Sequence, residues 1–319
     1  MSWNNFMMTS ARNKRLSQPI LIVAIWFFIL FPPSMHSSTK NNDSFCKYFL
    51  SVCTIFKDEA PWLKEWIEYH KLIGVDHFRL YNNHSTDNFL EILDPYIKAG
   101  EVTLIDWPGG HGNWCYEVQG PALLDGIDQL IGISKWVALI DTDEFLLPTE
   151  KENMHSFLKD YESFAAVVIN WQNFGTSGIQ KLSDAELLIE ALRLKAPGQS
   201  WWNQPVKSIV RPECMDTSRL YLTPHQWHYL PGYFSVNPSK EPFVYGIIDI
   251  DKIRINHYIH RTEEYFWTEK LQKKAIMERY PSDPFIKKWY EACNVEEDRA
   301  IQRFVPLLRE RVFLRDRRA

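Results

Sequence analysis

The chain has 319 residues, 45% apolar and 24% charged, which is the ordinary mix of a globular protein of one or two domains. That apolar content excludes a disordered chain, and a net charge of −4 lacks the basic surplus expected of a nucleic-acid binder. Aromatic residues are in excess (13 Trp, 14 Tyr, 19 Phe), which fits either a large aromatic core or a surface that stacks on sugar rings or bases.

Near the N-terminus, residues 20–31 (ILIVAIWFFILF) form an unbroken apolar run, preceded by Arg12, Lys14 and Arg15 and ended by Pro32-Pro33. The run is shorter than the roughly 20 residues that cross a typical bilayer. Counted from Leu16 it reaches sixteen, which suits a thin membrane. The basic flank predicts a cytosolic N-terminus. A signal anchor, a cleaved signal peptide and an interfacial or packed segment are the three readings. Residues 34–38 offer no A-x-A-like site, which counts against cleavage. The expected division is a tail (1–15), a signal-anchor or signal segment (16–33), a polar stem (34–47) and a folded domain (48–319). Asn42 in the stem and Asn83 in the domain head N-x-[ST] sequons; Asn42 would tolerate a glycan, and Asn83 is expected to stay unmodified. Cys46, Cys53, Cys115, Cys214 and Cys293 contain no C-x-x-C pair, so no zinc or thioredoxin-like site is expected.

Within the domain, residues 48–56 (YFLSVCTIF) read as a strand. Residues 59–74 read as a helix, with Leu63, Trp66, Ile67, His70 and Ile73 at helical spacing and Gly74 at its end. Strands are then expected at 76–81, 101–106 and 136–140, and helices at 87–98 and 121–131. That alternation indicates βαβ units and a parallel sheet covered by helices. After residue 150 the alternation weakens. Expected are strands at 165–171, 206–210 and 252–257, and helices at 184–194, 262–279, 284–292 and 296–315. Seven arginines from Arg299 to Arg318, in the last helix and just beyond it, read as a solvated face.

In open sheets of this kind ligands bind at the carboxyl ends of the strands. Each of the first four strands ends in a polar segment: residues 57–59 (KDE), 82–87 (NNHSTD), 106–110 (DWPGG) and 141–144 (DTDE). The last is the sharpest feature. Asp141 and Asp143 follow the apolar strand WVALI, and hard cations such as Mg²⁺ or Mn²⁺ prefer carboxylate oxygens. A lone D-x-D is a weak signal, since acidic pairs also make solvated turns, but its place after that strand strengthens it. His257, at the end of the strand IRINH, is a further possible ligand; the alternative is a core histidine.

Five segments together resemble the GT-A glycosyltransferases, and within them glycosyltransferase family 92. They are TIFKDEAPWLKEWIEYHKLIGVDHFRLYNNHSTD, WVALIDTDEFLLP, WQNFGTSG, VKSIVRPE and INHYIHRTEEYFWTEK, in the family's order. The resemblance implies an α/β, GT-A (Rossmann-like) mixed sheet with helices on both faces. It implies a nucleotide-sugar donor such as UDP-galactose, a glycan acceptor, Mn²⁺ (or Mg²⁺), and transfer with inversion. A single-pass type II membrane anchor also follows, in the Golgi if the source is eukaryotic; a bacterial source would put the domain on the cytosolic face of the membrane.

Carried over residue by residue, the resemblance places Thr54, Lys57 and Glu59 near the nucleoside, and Asn82, Asn83 and Asp87 near the base and ribose. Asp141 and Asp143 become metal and diphosphate contacts, His257 a third metal ligand, and Lys207 and Arg261 holders of phosphate charge. The loop 174–178, with Gly175 and Ser177, would border the acceptor. Trp171, Trp201, Trp202 and Trp227 are either sugar platforms or core; the Trp201-Trp202 pair stands out because neighbours in an extended segment rarely both face inward. Asp184 and Glu186 are candidates for the base that takes the acceptor proton, with Glu213, Glu263 and Glu264 left open. A phosphatase-type hydrolase would need the D-x-D on its first strand, with Thr or Val where Phe145 stands. A non-catalytic carbohydrate-binding protein of the same fold has no need of Asp141, Asp143 and His257 together.

Overall fold

Strand β1 (Tyr48–Phe56) alternates between two cores: Leu50, Val52 and Phe56 join the larger apolar cluster, Cys53 and Ile55 the smaller. A strand buried on both faces needs cover on both sides of its sheet. Helices α1 (Ala60–Leu72) and α2 (Phe89–Lys98) supply it on one face through Leu63, Trp66, Ile67 and Leu93. Helix α3 (Gly120–Gln129) supplies it on the other through Leu123 and Ile127. Gly126 lets α3 lie close, since a Cβ there would sit 2.2 Å from Cys53 Sγ. The computed structural model describes residues 46–109, 113–219, 226–272 and 283–314.

Strands β2 (His77–Asn82), β3 (Val102–Asp106) and β4 (Ser134–Leu139) run parallel with β1 in the order β3-β2-β1-β4. The remaining strands are β5 (Glu144–Pro148), β6 (Ala166–Asn173), β7 (Leu194–Lys195), β8 (Val206–Val210), β9 (Ser235–Val236), β10 (Ile253–His257) and β11 (Glu296–Glu297). The sheet continues β4-β8-β6-β10-β5, with β9 on β6, so it is mixed as expected. Strand β6 is the pivot: its first five residues pair with β8 and its last three with β10. The chain therefore leaves β4, turns through Asp141–Asp143, and enters a strand at the far end of the order. That path brings β10 back beside the turn.

The helices of the second half are shorter than the sequence pattern predicts. Residues 184–194 hold only α5 (Leu188–Ala191). Its first amides go to Glu65 of α1, and Arg193 and Leu194 N–H bond Ser177 Oγ, which draws the chain into β7. In place of a helix at 262–279, α6 (Glu263–Thr268) is followed by a 3-10 turn (Lys270–Gln272), with the rest outside the described residues. Helix α7 (Asp283–Ala292) agrees with expectation. The expected helix 296–315 is instead β11, a 3-10 turn (Ala300–Phe304), α8 (Val305–Arg309) and a wider turn (Glu310–Leu314). Arg254 grips Asp298 through both carboxylate oxygens (2.8 Å each), which fixes the break. Of the arginines there, Arg299 and Arg303 are exposed as expected, though Arg303 also bonds the Pro148 carbonyl and Arg309 bonds Glu190; Arg315, Arg317 and Arg318 lie outside the described residues.

The expected tail, apolar segment and nearly all of the stem lie outside the described residues, and no described helix is long and apolar enough to cross a membrane. Cys46, Cys53, Cys214 and Cys293 form no disulfide among the described residues.

Candidate functional site at the carboxyl ends of the strands

The ends of β1, β2 and β3 are stitched together by side chains. Asp58 N–H donates to Ser85 Oγ (3.0 Å), and Thr86 N–H to Asp58 Oδ1 (2.7 Å). Asn82 Nδ2 donates to Asp106 Oδ1 (2.9 Å) while its oxygen accepts from Ser85 N (3.0 Å). Asn83 Nδ2 donates to the Trp107 carbonyl (2.8 Å), so the atom that a glycan would need is buried and bonded. Asp87 Oδ2 accepts from Ala60 N (2.7 Å), closing the open first turn of α1. The residues expected near base and ribose thus first hold the loop in shape. Asp58 and His84 take φ +53° and +55°, a left-handed region that is uncommon outside glycine but that Asp and His adopt more readily than most residues. Thr54 is buried, and Lys57 is exposed.

The two aspartates of the D-x-D turn face different partners. Asp141 Oδ2 accepts from Lys207 Nζ of β8 (2.7 Å) and Oδ1 from Gln119 Nε2 (3.0 Å). Asp143 Oδ2 accepts from Lys270 Nζ (2.9 Å), and its Oδ1 lies 3.5 Å from His257 Nε2. The antiparallel register of β5 with β10 pairs Glu144 with His257, and Tyr258 N–H bonds the Asp143 carbonyl (2.8 Å). Among the described residues, Asp143, Glu144 and His257 can each offer one ligand atom with all three atoms within 4.8 Å of one another. Two of the three expected ligands are therefore together, Glu144 joins them, and Asp141 is engaged by Lys207. Hard carboxylate oxygens with one imidazole fit Mn²⁺ or Mg²⁺.

Electrostatics follows from burial. Burial works to raise the Asp143 carboxyl, but Lys270, His257 and Arg261 outweigh it and hold it well below the usual range. Burial raises the Glu144 carboxyl, and Lys207 only partly offsets that against the repulsion of Asp141 and Asp143. Burial also lowers His257 despite Asp143, leaving a neutral imidazole able to ligate. Lys207 is only 2% exposed, yet Asp141 and Glu144 outweigh burial and keep it charged.

Arg261 is fully buried, bonded to Glu59 and held between the rings of Trp62 and Tyr265 (4.7 Å to each). It ties the end of β1 to the segment after β10. Its Nε and Nη1 have no hydrogen-bond partner among the described residues.

The loop after β6 packs on the C-terminal helices. Gly175 is buried, and a Cβ there would lie 2.3 Å from the Asn294 side chain. Asn294 Oδ1 in turn accepts from Ser177 N (2.8 Å), so Gly175 and Ser177 shape this loop. Trp201 is 49% exposed and Trp202 6%, with ring centroids 3.9 Å apart: one indole faces solvent and the other the core. Trp171 and Trp227 are buried, and the Trp171 ring lies 4.2 Å from that of His257. Asp184 and Glu186 are exposed, and Glu186 is turned back on Ser183. Glu213 bonds Arg211, and Glu263 accepts from Thr176, Tyr290 and Trp267. Glu144 and Lys270, both at the acidic turn, are what sequence reasoning missed. The adjacency of Glu144 to the D-x-D was the only signal for it, and for Lys270 the only one was its place at the end of the segment INHYIHRTEEYFWTEK.

Comparison with known proteins adds an independent line. The sequence profile of glycosyltransferase family 92 matches residues 47–298. A glycosyltransferase family 92 protein of Ricinus communis is 27% identical over 259 residues, covering 79% of this chain and 41% of that protein. Another, of Oryza sativa subsp. japonica, is 28% identical over 257 residues, covering 79% and 39%. A galactan beta-1,4-galactosyltransferase of Arabidopsis thaliana is 27% identical over 140 residues, covering 42% and 28%. The chain thus spans about 40% of the length of the family 92 relatives it matches. Among solved structures, S. aureus TarS 1-349 in complex with UDP-GlcNAc is similar at 11% identity over 62% of this chain and 60% of that one, with a TM-score of 0.36.

Proposed function

Because the chain belongs to glycosyltransferase family 92, we propose that it transfers a hexose from a nucleotide-sugar donor, UDP-galactose foremost, to a glycan hydroxyl with inversion. The galactan galactosyltransferase among its relatives supports the choice of sugar. The observation that carries the reading is the meeting of Asp143, Glu144 and His257 beside the ends of the parallel strands. A divalent cation bound by these three would neutralise charge on the departing diphosphate.

The chain's own residues do the rest. Lys207 and Gln119 hold Asp141 at the edge of this site, where it can orient ribose or diphosphate. Arg261 and Glu59 fix the end of β1, and the stitched loops 57–59 and 82–87 form the wall expected to meet the nucleoside. Trp201 presents its exposed face as a sugar platform on a rigid aromatic base. The N-terminal apolar run is read as a type II anchor that leaves this domain lumenal in a Golgi.

A thermal-shift screen of UDP- and GDP-sugars with Mn²⁺ tests the donor, since a ligand that binds only the folded state raises its stability by mass action. The reading expects UDP-galactose to raise the melting temperature only when Mn²⁺ is present. An equal shift without metal contradicts it.

A further inference from the structure

We propose that Lys270 is an internal counter-ion that a divalent cation displaces from Asp143, so that ammonium and metal hold the same carboxylate in turn. The inference rests on the metal-site reading above. Lys270 is 8% exposed, and its Nζ sits 2.9 Å from Asp143 Oδ2, on the carboxylate whose other oxygen faces His257 at 3.5 Å. A cation bridging Asp143 and His257 would stand within a few ångströms of that ammonium, in a buried site where like charges repel strongly.

The two lysines at the acidic turn differ in freedom. Lys207 lies inside β8, paired on one side with β4 and on the other with β6, so its backbone is fixed and its ammonium stays with Asp141. Lys270 lies outside the sheet, at the start of the 3-10 turn after α6, on a flexible four-carbon stem. Turning that stem releases Asp143 without breaking any strand pairing. Lys270 also lies near enough to His257 and His260 to act on both rings, and an imidazole is not an anion, so neither ring holds the ammonium in place.

The test is Mn²⁺ binding to the full chain with no donor present, read by electron paramagnetic resonance, in wild type, Lys270→Met and Lys270→Arg. Removing the competing charge should tighten Mn²⁺ binding by roughly tenfold or more in Lys270→Met. Lys270→Arg keeps the charge and should stay near wild type. Equal or weaker binding by Lys270→Met overturns the proposal and leaves the metal reading standing. Absence of Mn²⁺ binding in all three proteins overturns the metal reading and the proposal with it. If Lys270→Met melts below the assay temperature, Lys270→Gln replaces it with the same expected outcome.

Discussion

His257 of β10 stands directly opposite Glu144 of β5, and its imidazole reaches to 3.5 Å from Asp143. The pairing joins residues more than a hundred positions apart. It exists because β5 crosses to the far end of the sheet and runs antiparallel to β10. Whatever disturbs that strand pair should disturb the site before it disturbs the fold.

The Asp141–Lys207 pair should behave as a unit. Lys207→Met leaves Asp141 without its ammonium and should cost on the order of 3 kcal/mol of stability. Asp141→Asn leaves Lys207 with Glu144 at 3.6 Å and should therefore cost less. The double variant should lose clearly less than the sum, as measured by urea unfolding. Additive losses would show that the pair contributes little.

Gly126→Ala should destabilise by about 1–3 kcal/mol, because the new methyl would overlap Cys53 Sγ and push α3 off β1. Cys53→Ala removes the obstructing sulfur and should recover part of the loss. Thermal melts of the two single variants and the double variant decide it. A harmless Gly126→Ala would mean that α3 can shift freely.

Stability should fall as the solution is acidified below about pH 6.5. Burial pushes His70 down to about 3, although its bond to the Trp66 carbonyl works the other way. The neutral ring also takes a weak bond from Leu146 N–H, joining α1 to β5. The unfolded chain takes up a proton near the ordinary histidine value and the folded chain does not. The contribution is therefore complete above that value and is lost at about 1.4 kcal/mol per pH unit below it. His70→Gln should flatten that slope in urea titrations between pH 6.5 and 5. An unchanged slope would assign the acid sensitivity to other groups.

Trp201→Ala should leave melting temperature almost unchanged, because its indole is half exposed. If it is a sugar platform, the acceptor KM should rise by roughly three- to tenfold, the loss of one stacking contact, with donor KM unaffected. An unchanged acceptor KM would return Trp201 to a packing role over Trp202.

The first half of the fold was readable because β1 and β4 are apolar runs of strand length and α1 carries its apolar residues at helical spacing. Strand β5 was not, since EFLLP is short, follows an acidic turn and acquires its identity from β10. The 184–194 pattern looked helical, yet Glu65 and Ser177 captured its amides from outside. At the site, Asp143 and His257 were legible as residue types. The division between Asp141 facing Lys207 and Asp143 facing Lys270 was not, because it depends on which side of the turn each carboxylate leaves.

The most direct measurement is transfer of labelled galactose from UDP-galactose to a galactan acceptor, followed with Mn²⁺, with EDTA, and after Mn²⁺ is restored, in wild type and Asp143→Asn. The account predicts transfer by the wild type that EDTA abolishes and Mn²⁺ restores, and a loss of at least about a hundredfold in Asp143→Asn. Transfer by Asp143→Asn at the wild-type rate, or wild-type transfer indifferent to EDTA, would contradict it.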